Sequence, residues 1–298
     1  MGNPVATGIL IYNFKKEYKM TDLIENTKFM RDFIRLAQEG VEHGWHEKNG
    51  GNLSYRIALE EINEIKDFLK EPEESFPTEI SVPNLAGEYF LVTGSGKYLK
   101  NVSLAPFKNL AIVLIDDKGE NYKIVWGLSK EEKPTSEFPT HLECHSIKKE
   151  QNASYRVIYH AHPVNIIALS ATLPCDDDIV TKATWGMMTE CPVIYPEGLG
   201  IVPWMVPGGR EIANATAEKM RKFKYNAVIW ALHGIFCAGK NFDDTIELMY
   251  VIEKSAEIYK AQKIMGGAIN SIPLEGYKKL EEEFHVHLKE SSLNAIIP

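Results

Sequence analysis

The 298-residue chain carries 33 basic against 41 acidic residues, a formal charge of −8, and 44% hydrophobic residues, ample material for a buried core. That acidity excludes a general affinity for nucleic acid, whose binders concentrate positive charge. No run approaches the roughly 18 consecutive apolar residues of a membrane-spanning helix; the best candidates, 110–115 and 227–238, are short, and His233 interrupts the second.

The apolar segment 5–12 has no basic residue before it and is followed by Lys15-Lys16, the wrong order for a secretory signal. Ala6 stands where a myristoylation signal needs Ser or Thr. Cys144, Cys175, Cys191 and Cys237 form neither a CxxC pair nor a dense framework, and are expected as reduced thiols in a cytoplasmic protein.

In chain order, Thr21 is a candidate N-cap for a helix carrying Met30, Phe33, Ile34, Ala37, Val41 and Trp45 at three- and four-residue spacing and ending before Gly50-Gly51. A strand is predicted at 52–57, a helix at 60–69, and strands at 89–93, 110–116 and 122–126. Then come a helix over 136–149, a strand over 156–162, a helix over 163–173, a strand at 192–195 and a helix over 210–223. The strand 227–232 turns at His233-Gly234 into a short partner. A last helix opens at Asn241, with Asp243 and Asp244 in its first turn. Helices interleaved with strand pairs predict an α/β layered domain whose mixed or antiparallel sheet is flanked by helices. With Pro and Gly scattered and no internal repeat, residues 1–298 read as one domain. No G-x-G-x-x-G or Walker spacing occurs.

His160 and His162 close a strand on one face, because alternate strand residues point the same way. His233 ends another apolar strand beside Gly234. Three neutral imidazoles with one open position suit a catalytic metal, whereas an isolated His-x-His is also an ordinary pair of strand histidines. His141 and His145, at i,i+4 on a helix, are a competing pair or simply helix surface or core. His43, His46, His285 and His287 read as solvated. Three segments could bind an anion through backbone N–H groups and short polar side chains: Asn49-Gly50-Gly51-Asn52, Thr93-Gly94-Ser95-Gly96, and Thr135-Ser136 at a helix start. Alone, each is a turn or a cap. Glu137 follows the third, where a carboxylate also serves the helix dipole. Asp176-Asp177-Asp178 reads as solvated loop, and Glu190 as a surface carboxylate before the 192–195 strand.

In order, Asn-Gly-Gly-Asn-Leu-Ser (49–54), Val-Thr-Gly-Ser-Gly-Lys (92–97), Pro-Thr-Ser-Glu (134–137), His-Ala-His (160–162) and Leu-His-Gly (232–234) resemble the class II aldolase and adducin-type family. Segments 44–52, 126–128, 189–191 and 202–208 are similar to its branch that cleaves L-rhamnulose 1-phosphate to dihydroxyacetone phosphate and L-lactaldehyde. The resemblance implies a class II aldolase-like fold, one zinc per chain stabilising an enediolate, a sugar-phosphate substrate and a homotetramer with four-fold symmetry. It implies zinc ligation by His160, His162 and His233 and acid/base work by Glu137. It also implies a phosphate loop of Asn49, Gly51, Asn52, Ser95, Gly96, Thr135 and Ser136, and a second carboxylate, Glu190, reaching the site from a neighbouring subunit. A metal-dependent sugar-phosphate epimerase would share the metal and phosphate groups. A metal-free adducin-like interaction protein would need neither the three histidines nor Glu137.

Overall fold

The structure, a computed structural model, describes residues 23–297. Helix α1, Lys28–Glu42, buries Phe29, Met30, Phe33, Leu36 and Ala37 along one side, the stripe that its apolar spacing requires. Its cap is Thr27, whose hydroxyl accepts from the Met30 N–H at 3.4 Å. Thr21, the expected cap, lies outside the described residues, as does segment 5–12. The helix stops earlier than its pattern suggested. Gly44 turns the chain with a left-handed φ of 71°, and Trp45 is buried from the loop beyond.

Among the described residues nine strands form one sheet: β1 Asn52–Arg56, β2 Phe76–Pro77, β3 Tyr89–Thr93, β4 Leu110–Ile115, β5 Asn121–Gly127, β6 Val157–Ala161, β7 Gly200–Val202, β8 Ala227–Trp230 and β9 Gly234–Gly239. Their order is β2-β5-β4-β3-β1-β6-β9-β8-β7. All pairings are antiparallel except β7 with β8, so the sheet is mixed. The flanking helices are α2 Leu59–Ile65, α3 Phe138–Gln151, α4 Val164–Thr172, α5 Asp177–Trp185, α6 Arg210–Phe223, α7 Phe242–Ile264 and α8 Leu274–Phe284.

Strand alternation sorts the core onto the two faces. Val157, Tyr159 and Ala161 of β6 pack with apolar residues of α1, α4, α5 and α7. The intervening Ile158 joins Trp230, Phe236 and Ala238 beneath Cys144 and Ile147 of α3 and Ile212 and Met220 of α6. Farther along that face, Phe90 and Val92 of β3 meet Phe138 and Leu142 of α3. Thus α3 roofs the sheet from β3 to β9, and its N-cap residue, Glu137, sits where β1 begins and β6 ends.

Three expectations need correction. Residues 192–195 are no strand: Cys191–Ile194 is a helical turn with Pro192 near its start, where proline's fixed φ and missing N–H cost nothing. The strand in that region is β7, three residues long and parallel to β8. The acidic run is no solvated loop either. Asp176 caps α5 by accepting from the N–H groups of Asp178 and Ile179. Asp177 pairs with Lys219 at 2.8 Å and Asp178 with Lys289 at 2.7 Å. Finally, the 227–232 strand ends at Trp230, and Ala231 to His233 form a turn. No described helix is long and apolar enough to cross a membrane.

Candidate active site

His160 lies in β6 opposite Asn52 of β1 and Phe236 of β9. His162 stands one residue past the strand end on the same face, its N–H donated to the Trp45 carbonyl at 3.0 Å. His233 is presented by the β8–β9 turn, closed by its N–H to the Trp230 carbonyl at 3.0 Å. The preceding Leu232 takes a φ of 61°, a left-handed conformation that is unusual for a branched side chain. Its N–H is held by Ser170 Oγ at 2.9 Å. The three rings meet with centroids 4.9 to 5.0 Å apart. One nitrogen from each falls within 4.8 Å of the others.

The tautomers follow from the outward partners. His160 Nδ1 donates to the Ile235 carbonyl at 3.0 Å, and His162 Nδ1 donates to Glu47 Oε1 at 2.6 Å. An imidazole whose single hydrogen sits on Nδ1 carries its lone pair on Nε2, and the two Nε2 atoms are 3.2 Å apart. Two lone pairs so close repel unless a cation lies between them, and nitrogens on one tetrahedral zinc stand roughly 3.3 Å apart given Zn–N near 2.0–2.1 Å. His233 Nδ1 is buried with no hydrogen-bond partner in the chain. The donor set therefore fits a divalent metal. Desolvation together with the neighbouring imidazoles holds His160 far below the ordinary histidine range and His233 at about 4, so both are neutral and able to ligate. Small residues make room: a Cβ on Gly50 would lie 2.9 Å from His162 Cε1, and one on Gly234 would lie 2.9 Å from His162 Cδ2.

Glu137 sits at the N-cap of α3 but makes no capping hydrogen bond. Its Oε2 instead accepts from Asn52 Nδ2 at 2.6 Å and lies 3.8 Å from His160 Nε2. A carboxylate serving only the helix dipole would not turn inward. Burial raises its affinity for a proton above the ordinary carboxylate level, against the opposing pull of the Asn52 amide and His162.

The three glycine- and hydroxyl-bearing segments converge beside it. Thr135 N–H donates to the Thr93 carbonyl and Ser95 N–H to the Lys133 carbonyl, both at 2.8 Å, which lays the second segment against the third. The first joins them through Asn52, whose amide bonds Glu137. Gly51 and Gly96 take left-handed φ values of 73° and 68°. Ser95, Gly96, Ser136 and Asn49 are exposed, whereas Gly51, Asn52 and Thr135 are buried. Glu190 is exposed at the start of the Cys191–Ile194 turn, without a capping bond, and is not part of the three-histidine group.

His141 and His145 are buried in hydrogen bonds to Asn52 and Ser54, so their ring nitrogens do not form a second metal pair. His46 is no solvated histidine: Nδ1 donates to the Gly50 carbonyl at 3.0 Å and Nε2 accepts from the Tyr159 hydroxyl at 2.6 Å. Desolvation lowers it to about 4. Neither His46 nor Glu47 stood out in the sequence, because what marks them is contact with residues more than a hundred positions away.

Residues 31–260 match the family model described as the class II aldolase and adducin N-terminal domain. The chain is 40% identical over 265 residues to rhamnulose-1-phosphate aldolase of Mannheimia succiniciproducens, covering 88% of this chain and 96% of that protein. It is 38% identical to the protein of the same name from Listeria monocytogenes, across 92% of this chain and the whole of the other. Among solved structures, a sugar-phosphate aldolase from Thermotoga maritima superposes with a TM-score of 0.64 at 26% identity, over 80% of this chain and 98% of that one.

Proposed function

The chain belongs to the class II aldolase and adducin family and is an aldolase, a carbon–carbon lyase; from that premise we propose that it cleaves L-rhamnulose 1-phosphate reversibly to dihydroxyacetone phosphate and L-lactaldehyde. The observation that carries the reading is the facing pair of Nε2 atoms on His160 and His162, 3.2 Å apart with their Nδ1 atoms hydrogen-bonded outward, beside a buried, inward-turned Glu137. The substrate assignment draws on the relatives' names and on the convergence of three anion-suited segments at the same place.

His160, His162 and His233 would hold zinc, a Lewis acid that lowers the energy of the negative charge left on the ketose fragment when the bond breaks. Cleavage leaves the bonding pair on one carbon and removes a proton from the hydroxyl that becomes the aldehyde. Glu137, with an affinity for protons raised by burial, delivers a proton to that carbon and takes it away in the synthetic direction. Backbone N–H groups of Asn49, Gly51, Gly96 and Ser136 and the hydroxyls of Ser95, Thr135 and Ser136 receive the phosphate; the Ser95 and Thr135 N–H groups are already bonded to the Lys133 and Thr93 carbonyls. Asn52 belongs to the same loop, but its amide is occupied by Glu137 and His141, which assigns it to holding the carboxylate. Glu190 handles the hydroxyl proton from a neighbouring chain of a four-fold homotetramer. The working compartment is the cytoplasm.

The decisive experiment follows release of dihydroxyacetone phosphate, with and without chelator, by wild-type protein and Glu137→Gln. Wild-type protein should produce it, lose activity with chelator and regain it with zinc. Glu137→Gln should keep its metal yet lose about a hundred-fold or more in turnover, as acid/base groups typically contribute. Product formation indifferent to chelator, or unchanged in Glu137→Gln, contradicts the proposal.

A further inference from the structure

Glu137, His141 and His145 follow one another at four-residue spacing and so lie along one side of α3. That stripe faces Asn52 and Ser54, alternate residues on one face of β1. The two rows interlock. Asn52 Nδ2 meets Glu137, Asn52 Oδ1 meets His141 Nε2, and Ser54 Oγ lies 2.7 Å from His141 Nδ1 and 2.8 Å from His145 Nε2. Ser54, His141 and His145 are at most 1% exposed. Phe236 packs against the His141 ring and Phe90 against His145.

Only one arrangement of protons satisfies the row. A carboxylate accepts and cannot donate, so Asn52 must turn its NH2 to Glu137 and its oxygen to His141. His141 must then carry its hydrogen on Nε2. A neutral imidazole has one N–H, which leaves Nδ1 as an acceptor for the Ser54 hydroxyl proton. That proton being committed, Ser54 Oγ accepts from His145 Nε2–H. Each bond dictates the next.

Resting on the assignment of Glu137 as acid/base, we infer that His145, Ser54 and His141 are positioning residues, a buried relay that locks the Asn52 amide and thereby aims the Glu137 carboxylate. The lock engages Oε2 and leaves Oε1 as the oxygen that carries the transferred proton. Without it the Ser54 hydroxyl can rotate, His141 can change tautomer and Asn52 can flip, which sets its oxygen against the carboxylate. Two imidazoles and a hydroxyl buried among phenylalanines cost desolvation that apolar residues would avoid. Directional order is what they supply in return.

The test combines nitrogen-15 NMR of histidine-labelled protein with kinetics of Ser54→Ala, His145→Leu and His145→Gln. In wild-type protein His141 should show a protonated Nε2 and a bare Nδ1. Folded, metal-loaded Ser54→Ala and His145→Leu should lose roughly 10–100-fold in kcat, as outer-shell deletions do, with KM unchanged. His145→Gln should recover most of kcat, because its amide N–H replaces Nε2–H. A proton on Nδ1 of His141, unchanged kcat in folded Ser54→Ala, or equal losses for Leu and Gln at 145 would overturn the relay. If these variants fail to fold, the wild-type tautomer decides it. If wild-type protein released no dihydroxyacetone phosphate, the aldolase assignment would fall while the tautomer still reported the proton order.

Discussion

Glu47 is 66% exposed at its side chain, yet it holds the Nδ1 hydrogen of His162 at 2.6 Å. Such an outward partner fixes which ring nitrogen can ligate and makes the ligand more basic. Glu47→Ala should therefore weaken metal binding by roughly 10–100-fold while Glu47→Gln, still able to accept that hydrogen bond, should weaken it less. Competition with a chromogenic chelator measures this, and equal affinities for wild type and Glu47→Ala would show the contact to be incidental. These residues are unevenly legible in the sequence, for a physical reason. The grouping of His160 with His162 is written in the period-two geometry of a strand. Glu137 stands out by its place after Thr135-Ser136, but its inward turn depends on Asn52, 85 residues earlier. Glu47 and His46 are ordinary polar residues until the chain folds back on β6.

Helix α3 shows what an element's pattern reveals and hides. Its i,i+4 histidines were legible as neighbours, but whether they faced solvent, a metal or a strand depended on packing against β1. That packing has an acid cost. Desolvation holds His141 at about 3 and His145 well below its ordinary value of 6.5. The unfolded chain thus binds more protons than the folded one between roughly pH 6.5 and 3. Stability must fall as pH drops through that window, by about 1.4 kcal/mol per pH unit for each fully depressed histidine. His145→Gln keeps a hydrogen-bond donor but cannot titrate. Urea midpoints measured at fixed protein concentration between pH 7 and 5 should decline less steeply in this variant, and parallel profiles would contradict the assignment. The elements that the sequence pattern hides are the short ones. Cys-Pro-Val-Ile-Tyr (191–195) looks β-prone until Pro192 is allowed to start a helical turn. Gly200–Val202 is too brief for any periodicity and becomes a strand only because β8 lies beside it.

At the scale of the whole chain, the interleaving of helices with strand pairs was enough to anticipate a mixed sheet between helices. The order of nine strands was not, since it depends on which distant edges pair. Assembly belongs to this scale too. Glu190 stands exposed at the start of its turn, and the proposed ring would place it beside Glu137 of the next chain. In a closed ring of identical head-to-tail contacts every site lies at a junction. Glu190→Ala still supplies Glu137, and Glu137→Gln still supplies Glu190, so two inactive variants can build a complete site together. Random mixing in equal amounts makes about one junction in four fully wild type at both positions, the product of two one-half chances. Aldolase activity near a quarter of wild type should appear after co-expression or subunit exchange, and not on mixing intact oligomers. This requires Glu190→Ala alone to be strongly impaired. If oligomers shown by mass to contain both chains remain as inactive as their parents, Glu190 acts within its own chain or not in the reaction, and the shared junction must be abandoned.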